Sequence, residues 1–189
     1  QVTTVIPYFE RWMQRLPDLK ALAEANLDDV LTLWSGLGYY RRARLLHQAA
    51  LELVGGGQAA LPDTVEGLLA MPGVGRYTAG AIASIGFGVR APVVDGNVHR
   101  VLARHDGWGG DFATAAGRRH LWARADDLVP AERPGDHNQA LMELGATVCT
   151  FKGYDCARCP LAATCVARAQ GRVGELPFKR PKAPPRPIH

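Results

Sequence analysis

The chain has 189 residues, 47% of them hydrophobic, a length that supports one large domain or two small ones with real cores. Its 22 basic and 18 acidic residues give a net charge of +4, which permits a polyanionic partner without requiring one. No apolar run approaches membrane-spanning length and no signal-peptide pattern opens the chain, so the sequence argues against an integral membrane protein and predicts a cytoplasmic one.

Helical spacing dominates the first third of the chain. Apolar residues recur at intervals of three and four over residues 2–16, which predicts an amphipathic helix that ends near Pro17. Asn26, followed three residues later by an aspartate, predicts the start of a second helix, and Gly36 predicts its end. A third helix is predicted over residues 41–54, before a run of three glycines.

The rest of the chain also reads as short helices joined by turns. The segment from Asp63 to Glu66 is a capping-box pattern that predicts a short helix through residue 70. Further helices are predicted over residues 77–87, 97–104, 114–128 and 136–148. Only the short apolar run at residues 91–94 is ambiguous, so the predicted fold class is all-α.

Residues 72–75, with the sequence PGVG, form a predicted turn between two of these helices. The proline ends the first helix, and Gly73 and Gly75 allow positive φ angles and close approach of the backbone. Such a turn offers backbone amides at a helix start, where a phosphate can bind. The pattern is equally compatible with an ordinary corner between two helices.

All four cysteines lie in one short stretch, spaced Cys149-x6-Cys156-x2-Cys159-x5-Cys165. A cytosolic chain keeps its thiols reduced, so four thiolates this close in sequence suit one soft metal centre. All-cysteine zinc sites usually comprise two tight pairs, whereas this run has one tight pair flanked by wider gaps. The spacing therefore favours a 4Fe-4S cluster, with structural zinc as the alternative.

Taken together, these motifs resemble the endonuclease III and MutY glycosylases, helix-hairpin-helix enzymes of DNA repair that bind a 4Fe-4S cluster through four cysteines spaced this way. Residues 33–44 (LWSGLGYYRRAR) resemble a signature of the adenine-removing MutY branch. The resemblance covers nearly the whole chain. It implies a six-helix-barrel domain at residues 1–89 whose first helices are missing. A helical cluster domain would follow at 90–170, then a linker at 171–189 toward an absent MutT-like domain.

The resemblance also implies a catalytic centre. The family places a catalytic aspartate after the hairpin, which here matches Asp95, and Asn97 is expected to orient its carboxylate. Removing a base from deoxyribose builds positive charge on the sugar, which a fixed carboxylate stabilises. Asp95 could also be an ordinary N-cap. Bifunctional members carry a Schiff-base lysine where this chain has Tyr77, so the resemblance implies a monofunctional glycosylase with Tyr77 near the sugar and Asp95.

Contacts with DNA follow from the same resemblance. Tyr39 is expected to wedge into the duplex, since an aromatic ring on a glycine turn can stack on bases, although it could also be a half-buried residue at a helix start. The hairpin residues expected to bind the DNA strand are Gly73, Val74, Gly75 and Arg76. The implied partner is double-stranded DNA with A:8-oxoguanine or A:G mismatches, bound by a monomer in the bacterial nucleoid.

One expected part of the catalytic machinery has no counterpart in the sequence. The family's glutamate that protonates adenine belongs to a segment that would precede Gln1, so the chain alone is expected to be nearly inactive. Two other functions stay open. One is a thymine- or uracil-mismatch glycosylase of the same superfamily, and the other is a non-catalytic DNA-binding module with a structural metal site.

Overall fold

The computed structural model describes residues 2–178. Within that part of the chain all regular secondary structure is helical, and there is no strand. The predicted all-α class is confirmed. The bounds of the helices are α1 Val2–Arg15, α2 Leu19–Glu24, α3 Leu27–Leu33, α4 Arg41–Gly55, α5 Val65–Leu69, α6 Arg76–Ala81, α7 Gly96–His105, α8 Ala115–Leu128, α9 Pro134–Thr147 and α10 Val166–Ala169. A π-helical turn, Ile82–Gly86, continues α6. Most of the predicted linker, residues 179–189, lies outside the described residues, as does Gln1.

The chain divides into two compact units, Gln1–Ala79 and Gly80–His189. The domain boundary predicted from the sequence, between residues 89 and 90, lies ten residues after the boundary between these units. The roles assigned to the two domains remain predictions. None of the helices within residues 2–178 combines the length and the apolar character needed to cross a membrane.

The first unit forms its core between short, well-capped helices. Asp18 caps α2 by accepting a hydrogen bond from the Ala21 amide at 2.7 Å, and Asn26 caps α3 by accepting one from the Asp28 amide at 2.9 Å. These caps satisfy amides that a short helix would leave without partners. The two helices pack with α4. The buried residues of this core are Leu16, Leu22, Ala23, Val30, Ala43 and Ala50.

The second unit is organised around α7, which packs against both α8 and α9. Its core consists of Val93, Val94, Val98, Leu102, Leu121, Trp122 and Ala125. The fully buried Asn138 of α9 donates to the Ser84 hydroxyl of the π-helical turn and to the Ala91 carbonyl, both at 2.8 Å. Since Ala91 lies just ahead of α7, these bonds fix the segment that leads into that helix.

The structure also differs from the sequence-based expectations at several points. Two helices, α2 and α10, were not predicted; they have six and four residues and show little periodicity. Thr64, rather than Asp63, is the N-cap of α5, because its hydroxyl accepts from the Gly67 amide at 3.2 Å. The predicted helix over residues 77–87 begins at Arg76 and changes to π-helical geometry at Ile82.

Candidate functional site

Candidate site residues occur in both units, and the first of them, Tyr39, lies on a glycine turn before α4. Its backbone has a φ of +50°, a conformation that residues other than glycine rarely adopt, and its side chain is 82% exposed. The Trp34 indole donates to the Gly38 carbonyl at 2.9 Å, which holds the turn closed. The Arg42 guanidinium lies 5.4 Å from the Tyr39 ring and 5.5 Å from the Trp34 ring. An aromatic ring is thus presented to solvent from a constrained backbone.

The PGVG turn joins α5 to α6 as predicted. Gly73 has a φ of +76°, and a Cβ atom there would lie 2.8 Å from the Leu45 side chain, so both the backbone and the close packing require glycine. The Val74 amide donates to the Met71 carbonyl at 3.2 Å. The Val74 amide is therefore engaged within the turn. Fewer backbone amides remain for a phosphate than the sequence predicted. The exposed residues of the turn and the following helix start are Gly73, Gly75, Arg76 and Tyr77.

Asp95 is the N-cap of α7, and both of its carboxylate oxygens are engaged. Oδ1 accepts from the Val98 amide at 2.7 Å, and Oδ2 accepts from the Asn97 side-chain amide at 3.2 Å. The side chain is only partly buried. The N-cap interpretation of Asp95 is therefore correct. It does not exclude a chemical role, because a partly exposed carboxylate held at the positive end of a helix can still face a cationic partner.

Asn97 is itself held by a residue that reaches toward the cysteine loop. The Arg100 guanidinium donates to the Asn97 side-chain oxygen at 2.8 Å, to the Gly145 carbonyl at 2.5 Å and to the Cys149 carbonyl at 2.7 Å. A Cβ atom on Gly145 would lie 2.7 Å from the Asn97 Cβ, which is too close for two carbon atoms. The packing of α7 against α9 at this point therefore requires a glycine. The orientation of the Asp95 carboxylate thus depends on contacts from α7, α9 and the loop.

The four cysteines line one cavity between α7 and the loop that follows α9. Burial, followed by the charges of the other three cysteines, raises the pKa of the Cys156 thiol. Within residues 2–178, however, no three His, Cys, Asp or Glu side chains converge closely enough to hold one metal ion. The donor set that the four cysteines offer is all sulfur, and sulfur donors suit soft centres and iron–sulfur clusters.

Comparison with known proteins places the chain in a family. Residues 1–125 match the sequence profile of the HhH-GPD superfamily of base excision DNA repair proteins. The chain belongs to that superfamily. An adenine DNA glycosylase of Rattus norvegicus is 51% identical over 183 residues, which cover 94% of this chain and 35% of the relative. The HhH-GPD chain spans between about a third and about a half of the length of the curated relatives it matches.

Two solved structures share the fold of this HhH-GPD chain. A thermostable thymine-DNA glycosylase superposes with a TM-score of 0.79 at 24% identity, covering 88% of this chain and 76% of the other. Endonuclease III in a non-covalent complex with DNA gives a TM-score of 0.74 at 22% identity, covering 90% and 78%. These likenesses confirm the predicted helix-hairpin-helix glycosylase fold.

Three residues of α7 near the HhH-GPD site were not singled out from the sequence as functional. Arg100 and Arg104 both donate hydrogen bonds to the cysteine loop. Their spacing of four residues places them on one face of the helix, and this spacing is the only sequence signal that could have linked them. His99 stacks on Phe112 with ring centroids 4.6 Å apart, and its Nε2 is buried without a hydrogen-bond partner. Burial and then the charge of Arg100 lower the pKa of His99, which favours the neutral imidazole.

Proposed function

We propose that this chain is the glycosylase core of a monofunctional adenine DNA glycosylase that acts on adenine opposite 8-oxoguanine or guanine in duplex DNA. The observation that carries the proposal is the fixed carboxylate of Asp95, whose two oxygens accept hydrogen bonds from the Val98 and Asn97 amides. The 51% identity to an adenine DNA glycosylase supports the choice of adenine as the base.

The proposed reaction is hydrolysis of the bond between deoxyribose and adenine. The bond breaks with its electron pair leaving on the base, which takes up a proton, and the sugar becomes cationic. The Asp95 carboxylate faces that cation and stabilises it, and water then adds its oxygen to the sugar and releases a proton. Because Asn97 and Val98 orient the carboxylate before the substrate arrives, little reorganisation is needed during the reaction.

The base must leave the stacked duplex before the carboxylate can act on its sugar. Tyr39 is the residue we assign to hold the duplex open, because its exposed ring on a constrained turn can stack on the remaining bases. We assign the strand contact to the hairpin turn, whose exposed residues include Gly73, Gly75 and Arg76. These phosphate contacts position the DNA, whereas the aromatic contact senses its bases.

The monofunctional assignment depends on the absence of a suitable amine. Tyr77 carries a phenol, which cannot form a Schiff base with an opened sugar, and the chain's four lysines are Lys20, Lys152, Lys179 and Lys182. None of them is close in sequence to the hairpin or to Asp95. We therefore expect no covalent DNA adduct after borohydride treatment, and an adduct in good yield would contradict the assignment.

The cysteine site is assigned to a 4Fe-4S cluster held by Cys149, Cys156, Cys159 and Cys165. When bound, the cluster would cross-link the loop and supply folding stability rather than a step of base removal. Burial first, and then the charges of the other three cysteines, raises the pKa of the Cys156 thiol, and bound iron would stabilise the thiolate against both effects. A single zinc ion fits less well, because all-cysteine zinc sites usually comprise two tight pairs and this run has one tight pair flanked by wider gaps. Iron and sulfide analysis of anaerobically purified protein tests the assignment.

The decisive experiment replaces Asp95 by Asn in the full-length protein and measures base release under single-turnover conditions. Asn caps helices as well as Asp does, so Asp95→Asn keeps the cap and removes the charge. We expect at least about a hundredfold slower adenine release from A:8-oxoguanine duplex. Asp18→Asn is the matched control, because Asp18 caps α2 by the same kind of bond and has no assigned chemical role.

The same assay separates the rival functions. Faster release from T:G than from A:8-oxoguanine would favour a thymine-mismatch glycosylase; one solved structure of this fold is that of a thymine-DNA glycosylase. Binding of DNA without base release, unchanged by Asp95→Asn, would indicate a non-catalytic binding module.

A further inference from the structure

Arg104 is the most deeply buried charged residue of α7, with 2% of its surface exposed. Its Nε donates to the Leu176 carbonyl at 2.9 Å, and its Nη1 donates to the Thr150 carbonyl at 2.8 Å. The same Nη1 lies 3.4 Å from the Cys149 sulfur and 3.3 Å from the Cys149 carbonyl oxygen. The guanidinium also lies 4.9 Å from the centre of the Tyr154 ring.

No carboxylate within residues 2–178 forms an ion pair with this buried charge. The acid that lines the same cavity, Asp155, directs its Oδ1 to the amides of Ala157 and Arg158. A guanidinium cannot lose its proton in a protein, so burial without a counter-charge is costly. Besides Asp155, the groups in the cavity that can carry negative charge are the four cysteines, which become thiolates when they bind a metal.

We infer that Arg104 is a positioning residue for the cysteine site, acting as its built-in counter-ion and as an N–H donor to the Cys149 sulfur. The inference rests on the proposed assignment of the cysteines to a 4Fe-4S cluster. The guanidinium offsets the negative charge of the thiolates, and its bonds to Thr150 and Leu176 fix it on both sides of the loop. A cation and a donor at a ligand sulfur favour the more negative, reduced form of such a cluster.

Arg100 provides a matched control on the same helix. It donates to the same Cys149 carbonyl, at 2.7 Å, but it makes no contact with a sulfur and is less buried. A variant at Arg100 therefore loosens the attachment of the loop without removing a sulfur donor. A variant at Arg104 removes both the attachment and the charge beside the thiolate.

The test compares Arg104→Gln, Arg104→Lys and Arg100→Gln in the full chain, purified without oxygen. Iron content and the midpoint potential of the cluster are measured by redox titration followed by electron paramagnetic resonance. For Arg104→Gln we expect the ratio of reduced to oxidised cluster at a fixed potential to fall about tenfold, which is about 59 mV for one electron. Arg104→Lys keeps the charge and should fall about threefold, and Arg100→Gln should stay within a factor of two.

Each outcome decides the inference. Equal shifts in Arg104→Gln and Arg100→Gln, or wild-type potentials in both Arg104 variants, would overturn it. If Arg104→Gln does not retain iron, Arg104→Lys decides: iron retained there, with at most about a threefold change in the ratio, supports the inference, and loss of iron despite the conserved charge contradicts it. If the wild-type protein carries zinc instead, the cluster assignment fails separately. Zinc retention against a chelator then tests Arg104, with a loss of about tenfold or more expected for Arg104→Gln and no loss contradicting the inference.

Discussion

Replacing Gly145 by Ala perturbs the candidate active site without touching any polar group. An added Cβ would lie 2.7 Å from the Asn97 Cβ and 2.9 Å from the Asn97 carbonyl oxygen. Non-bonded carbon atoms prefer about 3.5–4.0 Å, so α7 and α9 must separate by about 1 Å at this point. The Asn97 amide that holds the Asp95 carboxylate lies on the helix that moves.

The expected losses in stability and in activity are very different. Overpacking destabilises a protein by about 1–3 kcal/mol, whereas the higher helix propensity of Ala stabilises it by about 1 kcal/mol. Gly145→Ala should therefore lower the free energy of unfolding by about 1 kcal/mol. That corresponds to a decrease of about 4 °C in Tm. A displacement of about 1 Å at a catalytic group can slow a reaction about a hundredfold. We therefore expect single-turnover adenine release by the full-length protein to fall far more than stability does.

A second glycine serves as the control for this substitution. Gly55 ends α4 and has open space where a Cβ would be added, so Gly55→Ala should be neutral in activity and equal or slightly higher in Tm. Wild-type adenine release by a folded Gly145→Ala variant would show that Asn97 does not position the carboxylate. A loss of Tm greater than 15 °C would instead show that the helix contact supports the whole unit.

Two further predictions concern other parts of the site. Arg42→Gln and Arg44→Gln each remove one exposed charge, so both should reduce the salt dependence of DNA binding by about one unit of slope. Arg42→Gln should lose about threefold more DNA affinity than Arg44→Gln, because the Arg42 guanidinium also stacks on the Tyr39 ring. That difference should persist at high salt and disappear when Tyr39 is also replaced by Ala. Equal losses, measured by fluorescence anisotropy, would contradict this role. Because the pKa of His99 is lowered by burial and then by Arg100, the unfolded chain takes up a proton first as the pH falls, so stability should decrease below about pH 6.5. Between about pH 7.5 and 5.5, the urea midpoint of His99→Gln should therefore change less than that of the wild-type protein. A residual change is expected from His137, whose pKa is also lowered by burial. Identical changes in the two proteins would exclude His99 as the source of the pH dependence.

Local sequence signals predicted the helices that have strong caps and long periodic faces. Asn26 was predicted to begin α3 and does so, because its side chain accepts a hydrogen bond from an amide two residues later. The start of α5 was displaced by one residue, since Asp63 and Thr64 are both good caps and the choice depends on packing around Gly67. The six residues of α2 were missed because a helix of that length is held by tertiary contacts rather than by its own pattern.

The candidate site was predictable as far as its motifs are contiguous in sequence. Asp95, Asn97 and the four cysteines were chosen from local spacing and from resemblance, and the structure brings the cysteines to one cavity. The strained backbone of Tyr39 had no separate sequence signal, because the two glycines before it, Gly36 and Gly38, already explained a turn. Its positive φ becomes informative only when the ring is also seen to be exposed.

The arginines of α7 mark the limit of what a single sequence could reveal. Arg100 and Arg104 alternate with apolar residues on an amphipathic helix, where basic side chains usually face water. Their partners are carbonyl groups 45 to 72 residues away, so only the packing of α7 against the cysteine loop shows that they point inward. The Asp95 cap and the cysteine loop are therefore attached to the same ten-residue helix. That shared attachment explains how a loop with no assigned chemical step can still determine the geometry of the proposed catalytic carboxylate.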